Sequence, residues 1–282
     1  ERTIDFNNDA AKANEPFYTW ASFPDPHHPM TPPGRWFDRH NPADMELPVS
    51  INDPLEHAPD YLRRFQQRGL ATQQNWVAPG GATDHELVKE CIAATYGAIE
   101  FIDEGVGRIL AAVEANGEAD NTIVVFTADH GDMMGEHGLM LKGFMPFRGT
   151  QQIPLLIVDP RRSPGRTGSL GGSIDLGPTL MDICDVQPHD GIQGQSLAPV
   201  LDDPSASVRD HVLIEQDLRA AVKGGRIPHR IRTLVSHDGM EYTRWNTGES
   251  MLYDLSEDPH ELKELSHGDP KRKAVQDDRL VG

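Results

Sequence analysis

The sequence predicts an α/β fold: a mixed, largely parallel sheet flanked by helices, followed by a small C-terminal antiparallel α+β subdomain. Three observations carry that expectation. From Thr83 to Asn116, Leu87, Cys91, Tyr96, Ile99, Ile102, Val106, Ile109, Leu110 and Val113 recur at three- and four-residue steps, the stripe of one long helix. The runs NTIVVFT (Asn121 to Thr127) and IPLLIV (Ile153 to Val158) are apolar without alternation, as strands covered on both faces are. After about Pro204 the pattern changes to short runs, HVLIEQ, IRTLVSH, MEYTRWN and MLYDL, with an Asp238-Gly239 turn between the second and third. Those are hairpin signals. The chain is therefore divided into an α/β part, residues 1–204, and a small α+β part, residues 205–282.

The remaining elements follow in order. Residues 1–13 read as the end of a helix, and FYTWASF (Phe17 to Phe23) as a buried strand, because β-branched and aromatic residues dominate it. Pro24 to Gly34, PDPHHPMTPPG, is too rich in proline for a helix or a central strand and forms a rigid, extended loop. Residues 35–82 lack a strong period and are read as a long excursion with a short helix near Pro59 to Gln67. Gly117 closes the long helix. Ser173 to Cys184 is a short helix, and Asp258 to Leu265 a candidate terminal one.

Composition narrows the function classes. Twenty-six Lys and Arg against 44 Asp and Glu leave a net charge of −18, a field that repels nucleic acid and anionic membranes. Any site for an anionic substrate must then be made locally positive by a metal, Lys, Arg or His. No run of about 18 apolar residues exists to span a membrane. The chain reads as soluble, with cytoplasm and periplasm both open and homo-oligomerisation undetermined. Cys91 and Cys184 read as two buried thiols rather than a disulfide framework.

The sharpest chemical feature is TADHGD, Thr127 to Asp132, set directly after the Asn121–Thr127 strand. Ligands of open α/β sheets bind outside the carboxyl ends of strands. Asp129 and His130 there offer one hard oxygen and one nitrogen to a divalent cation, and Gly131 permits a sharp turn. The bland alternative is a helix-capping Asp and a surface His. Downstream, GEHG (Gly135 to Gly138) makes a close loop, and Lys142 is a candidate to neutralise an anionic group. His137 reads equally as a ligand or a packed loop residue. His27 and His28 sit on the proline-stiffened loop, where a fixed imidazole suits general acid work or a hydrogen bond to an oxyanion.

Taken together, these segments resemble the sulfatase branch of the alkaline-phosphatase superfamily. FYTWASFPDPHHPMTPPG is similar to the family's strand and loop that bring a substrate-contacting His. DNTIVVFTADHGDMMGEHGLMLKG resembles its second metal motif and anion-binding Lys, and RGTQQIPLLIVDP its next strand. SIDLGPTLMDICDV with GIQGQSLAPVL resembles its helix and closing loop, and MLYDLSEDPHELKEL its C-terminal "LYDL–DP–E" signature.

The resemblance implies an alkaline-phosphatase-like fold and an enzyme, a sulfuric ester hydrolase, with Asp129 and His130 as metal ligands. Lys142 would bind the sulfate and help the leaving oxygen. His27, preferred to His28, would contact the transferring group and protonate the leaving group. Calcium is the expected metal, with manganese or magnesium as alternatives, and the substrate is a sulfate ester of a small molecule or saccharide. The phosphonate and phosphate diester hydrolases of the superfamily are the alternative chemistry.

The departures are specific. The family's nucleophile is a formylglycine made in a C/S-x-P-x-R motif, preceded by a strand ending in a metal-binding Asp pair. Neither Cys91 (CIAAT) nor Cys184 (CDVQP) fits, and Ser163-Pro164-Gly165-Arg166 has its proline one place early. The expectation is that the nucleophile and Asp pair belong to a missing N-terminal segment, which could be a separate chain. The isolated chain is then expected to be inactive, a non-catalytic fragment or association module when alone.

Overall fold

The computed structural model describes residues 1–67, 80–217 and 230–266. In chain order the elements are α1 (Arg2–Ala13), α2 (Asp60–Gln67), β1 (Gly80–Gly81), α3 (His85–Ala115), β2 (Val124–Thr127), β3 (Leu139–Met140), α4 (Arg148–Gln151) and β4 (Leu155–Val158). They continue with α5 (Leu176–Ile183), α6 (Ala198–Asp202), β5 (His211–Asp217), β6 (Arg230–Ser236), β7 (Met240–Trp245) and β8 (Ser250–Asp254), with short 3₁₀ turns between. The composition is α/β, as expected. No described helix is long and apolar enough to cross a membrane.

Helix α3 starts where its cap dictates. Asp84 has extended dihedrals and its carboxylate accepts from the Leu87 N–H at 3.2 Å, which satisfies one of the free first-turn donors. Gly117, at φ 75°, ends it in the left-handed conformation that glycine adopts without penalty. The buried face differs from the expected stripe. Val88, Cys91, Ile92, Ala93, Ala94, Gly97 and Ala98 are buried, while Leu87, Tyr96, Ile99 and Leu110 are exposed. The reason is close approach: a Cβ on Gly97 would lie 2.0 Å from the Trp36 carbonyl oxygen, so the 30–36 loop packs against the small residues.

The Phe17–Phe23 strand does not form. No ladder includes it among the described residues, and Tyr18 and Trp20 are 70% and 74% exposed. A strand needs a neighbour to pair with, and composition reports only that these side chains suit a pleated, covered surface. Strands β2 and β4 pair as expected of sheet neighbours, with Val124 opposite Val158 and Thr127 opposite Leu155, but the pairing is antiparallel. All described ladders are antiparallel. Apolar content reports burial on both faces, not strand direction, and Phe126, Leu156 and Val158 are exposed here.

The C-terminal half bears out its hairpin signals as a meander of order β5-β6-β7-β8, turned at Gly239 with φ 84°. Asp258 to Leu265 is not a helix. Glu261 takes φ 54° and the Leu265 N–H bonds the Leu252 carbonyl at 2.8 Å, so this segment lies along β8 instead. Cys91 is buried, whereas Cys184, the residue that caps the end of α5, is exposed.

One core joins the excursion to this sheet: Tyr61, Leu62, Phe65, Met133, Met145, Phe147, Ile231, Trp245 and Met251. At its centre the Tyr61 hydroxyl donates to the Phe144 carbonyl at 2.7 Å and accepts from Trp245 Nε1 at 3.0 Å. Tyr61→Phe would strand both groups in apolar surroundings. Urea unfolding of that variant is expected to show a loss of about 2–3 kcal/mol, and an unchanged midpoint would contradict this.

Candidate functional site

Asp129 and His130 leave the carboxyl end of β2 into solvent. The Asp129 side chain is 87% exposed, and its Oδ1 accepts from the His130 backbone N–H at 3.0 Å. His130 Nδ1 lies 2.8 Å from the Gly131 carbonyl. A carbonyl can only accept, so Nδ1 carries the proton and the Nε2 lone pair stays free. Nε2 sits 3.6 Å from Asp129 Oδ2. This is how a metal-binding imidazole is usually oriented. The two groups fit as one oxygen and one nitrogen donor to a shared divalent cation. Among the described residues no cluster of three or more such donors exists.

The backbone behind this pair is fixed by contacts that only glycine allows. The Gly131 N–H bonds the Thr150 carbonyl at 3.0 Å, and a Cβ on Gly131 would meet the Gly149 oxygen at 2.0 Å. Helix α4 is thereby pressed against the turn after His130.

Lys142 Nζ approaches His28 Nδ1 at 3.1 Å and Asp132 Oδ2 at 3.9 Å. An ammonium only donates, so His28 accepts through Nδ1 and presents Nε2–H outward. Burial, then the Lys142 charge and His27, hold the His28 pKa below its ordinary value, which keeps the ring neutral. Burial also lowers the Lys142 pKa, against the pull of Asp132 and Asp129. For Asp132, burial raises the pKa, opposed by the Met134 N–H and Lys142. His27 stacks on His28 with centroids 3.9 Å apart and donates from Nδ1 to the His28 carbonyl at 2.6 Å, leaving its Nε2 exposed.

The structure thus brings Lys142 to the histidine loop, and of the two histidines His28 makes the contact. Asp132, which links Lys142 to the Asp129–His130 turn, was missed in the sequence. Its signal was the second carboxylate of TADHGD. His137 is packed: buried, 2.7 Å from Asp53 Oδ2 and stacked on Phe147 at 4.1 Å. Burial alone would lower its pKa, but Asp53 and Glu261 outweigh that and push it up to about 9.

This makes stability pH-dependent. A pKa raised above the ordinary 6.5 contributes stability that is full below pH 6.5 and lost as pH rises through about 9. The contribution is about 3 kcal/mol. Glu136 and Glu241, raised mainly by burial, act with the same sign. Urea midpoints should fall between pH 6.5 and 9.5, and a flat profile would contradict the pairing.

An open cavity of about 620 Å³ lies behind Asp132, lined among others by Ile92, Tyr96, Met134, Arg148 and Glu261.

Comparison with known proteins supplies the family. The sulfatase family model matches residues 1–186, and that of the N-sulphoglucosamine sulphohydrolase C-terminal region matches residues 135–280. An arylsulfatase of Clostridium perfringens is 29% identical over 269 residues, 93% of this chain and 52% of that protein. An N-acetylglucosamine-6-O-sulfatase of Bacteroides thetaiotaomicron is 31% identical over 175 residues, 58% of this chain and 30% of that protein. The chain spans about half, or less, of the length of these curated relatives. The crystal structure of a phosphonate monoester hydrolase of Agrobacterium radiobacter superposes with a TM-score of 0.81 at 25% identity, covering 100% of this chain and 60% of that one. That match places the fold in the alkaline-phosphatase-like class. With its family model covering the strand, turn and histidine loop that build the candidate site, the chain belongs to the sulfatase family.

Proposed function

We propose that the complete protein hydrolyses a sulfate monoester, with this chain supplying half of the metal shell and the groups that handle the leaving oxygen. The observation that carries the reading is the Lys142–His28 contact at 3.1 Å beside the outward Asp129–His130 pair. A cation and a neutral N–H donor side by side, in a chain of net charge −18, support a site for an anionic sulfuryl group.

Asp129 and His130 Nε2 would hold the metal, calcium first as in the family, with manganese, which the nitrogen donor suits, or magnesium as the alternatives. When bound, the ion supplies Lewis-acid polarisation of the sulfuryl oxygens. The nucleophile, a formylglycine in the family, lies on this reading in sequence outside this chain, as does an Asp pair completing the shell. Lys142 binds the anionic group and offsets the charge building on the bridging oxygen. His28 donates from Nε2–H to that oxygen, and it keeps this proton because Lys142 occupies its other nitrogen. His27, the histidine the family pattern favours, has its Nδ1–H on the His28 carbonyl, so its exposed Nε2 carries a proton toward the transferring group only as an imidazolium.

A sulfated saccharide is the proposed substrate class. The N-acetylglucosamine-6-O-sulfatase relative and the sulphoglucosamine family model support it. Phosphonate or phosphodiester hydrolysis is the competing chemistry, supported by the phosphonate hydrolase neighbour.

Steady-state rates of the complete protein on 4-nitrophenyl sulfate, bis(4-nitrophenyl) phosphate and a phenylphosphonate monoester decide between them. The highest kcat/KM is expected on the sulfate, and a higher value on either phosphorus ester would overturn the proposal.

A further inference from the structure

The loop that carries Asp129 and His130 at one end and Lys142 at the other is held in an unfavourable backbone shape. Three of its non-glycine residues, Met134, His137 and Leu141, have φ of 44°, 52° and 67°. L-residues avoid that region, so surrounding contacts must impose it. Those contacts converge on His137. Its N–H donates to Ser50 Oγ at 3.1 Å and its carbonyl accepts from Gln66 Nε2 at 2.9 Å. Its Nδ1 reaches Asp53 Oδ2 at 2.7 Å and its Nε2 lies 3.8 Å from Glu261 Oε2.

Glu261 is as constrained as the residue it faces. It is 2% exposed, has φ 54°, and its Oε2 also accepts from the Arg148 N–H at 3.1 Å. This carboxylate therefore touches both the loop and helix α4, whose Gly149 and Thr150 press on Gly131. Two further carboxyls face the cluster. Burial, then Glu261, push the Glu241 pKa well above the ordinary carboxylate range, and burial, then Glu261, shift Glu136 the same way. Asp53 and Glu261 share His137 as their charged neighbour, at 2.7 and 3.8 Å, and Arg148 reaches Glu261 through its backbone N–H.

We propose that Asp53, His137 and Glu261 are positioning residues, an imidazolium clamped between the half-buried carboxylate of Asp53 and the buried one of Glu261, which fixes the 129–142 loop so that Asp129, His130 and Lys142 face one site. The clamp joins the 35–67 excursion, the site loop and the C-terminal segment. The glutamate of the "LYDL–DP–E" run thereby acquires a physical role, as the C-terminal segment's hold on the site loop. The inference rests on the reading of Asp129, His130 and Lys142 as the site.

The test uses the whole chain, with Glu261→Gln removing the charge at constant shape and Glu261→Asp keeping it. Amide hydrogen exchange is followed at Gly131, Gly135 and Gly138, which bond the carbonyls of Thr150, Leu139 and Gly135. Amides of the paired strands β5 and β6 serve as the internal reference. Glu261→Gln is expected to speed loop exchange about tenfold or more, to leave the sheet amides within about twofold, and to move the His28 and His130 ring resonances. Glu261→Asp should recover most of the protection. Unchanged loop exchange, or equal acceleration of loop and sheet, would overturn the clamp.

Imidazole ¹⁵N–¹H spectra of the unsubstituted chain at pH 7.5 test it without any variant. Both His137 ring nitrogens should carry protons, and a neutral tautomer pattern would overturn it. Calcium titration of the same sample reads the site assignment separately, so the two can fail independently.

Discussion

Lys142→Ala is expected to lower kcat/KM of the complete protein on an aryl sulfate about a hundredfold to a thousandfold. That is about 3–4 kcal/mol of transition-state stabilisation, the usual cost of removing one charged or donor group aimed at developing charge. The loss should exceed that of a surface lysine because Lys142 acts twice. It supplies the positive charge, and its N–H fills His28 Nδ1 so that the proton of His28 stays on Nε2. With Lys142 gone, the charge that helps depress the His28 pKa also goes. The His28 pKa should then rise, which an imidazole proton titration by NMR reads without any substrate. An active variant with an unmoved His28 would contradict both roles.

Gly131→Ala should have the second largest effect, on the fold and the site together. The added Cβ would stand 2.0 Å from the Gly149 carbonyl oxygen and 3.1 Å from its carbon. Backbone atoms cannot swing aside as a side-chain tip can, so either the Asp129–His130 turn or helix α4 must shift. Overpacking of this kind costs about 3 kcal/mol at its upper end. The Gly131–Thr150 hydrogen bond at 3.0 Å would be strained with it. Thermal unfolding should show the loss of stability, and metal affinity should fall in the same variant because Asp129 and His130 precede the displaced residue. Full stability with intact metal binding would show that the turn is free to move.

Much of this arrangement was legible because local chemistry encodes it. Asp84 and Gly117 bracket α3 through a cap and a left-handed residue, both local signals. Asp129 and His130 could be placed because they follow an apolar run that had to be a strand. The hairpins of β5 to β8 were announced by alternation and by Asp238-Gly239.

What was not legible depends on partners distant in sequence. The face buried by α3 is set by the Trp36 carbonyl, which the helix sequence does not mention. Phe17 to Phe23 has strand composition without a described neighbour to pair with. His27 and His28 are adjacent and chemically identical, so only the position of Lys142 separates them. His137 was ambiguous because Asp53 and Glu261, which settle its charge, lie far to either side along the chain.

Everything proposed for the site depends on Asp129 and His130 acting as cation donors. Calcium titrated calorimetrically into the chain, and into Asp129→Ala and His130→Ala, measures this. A single weak binding event is expected for the unsubstituted chain, reduced about tenfold or more in each variant. Equal affinity in all three, or no binding by the unsubstituted chain, would contradict it.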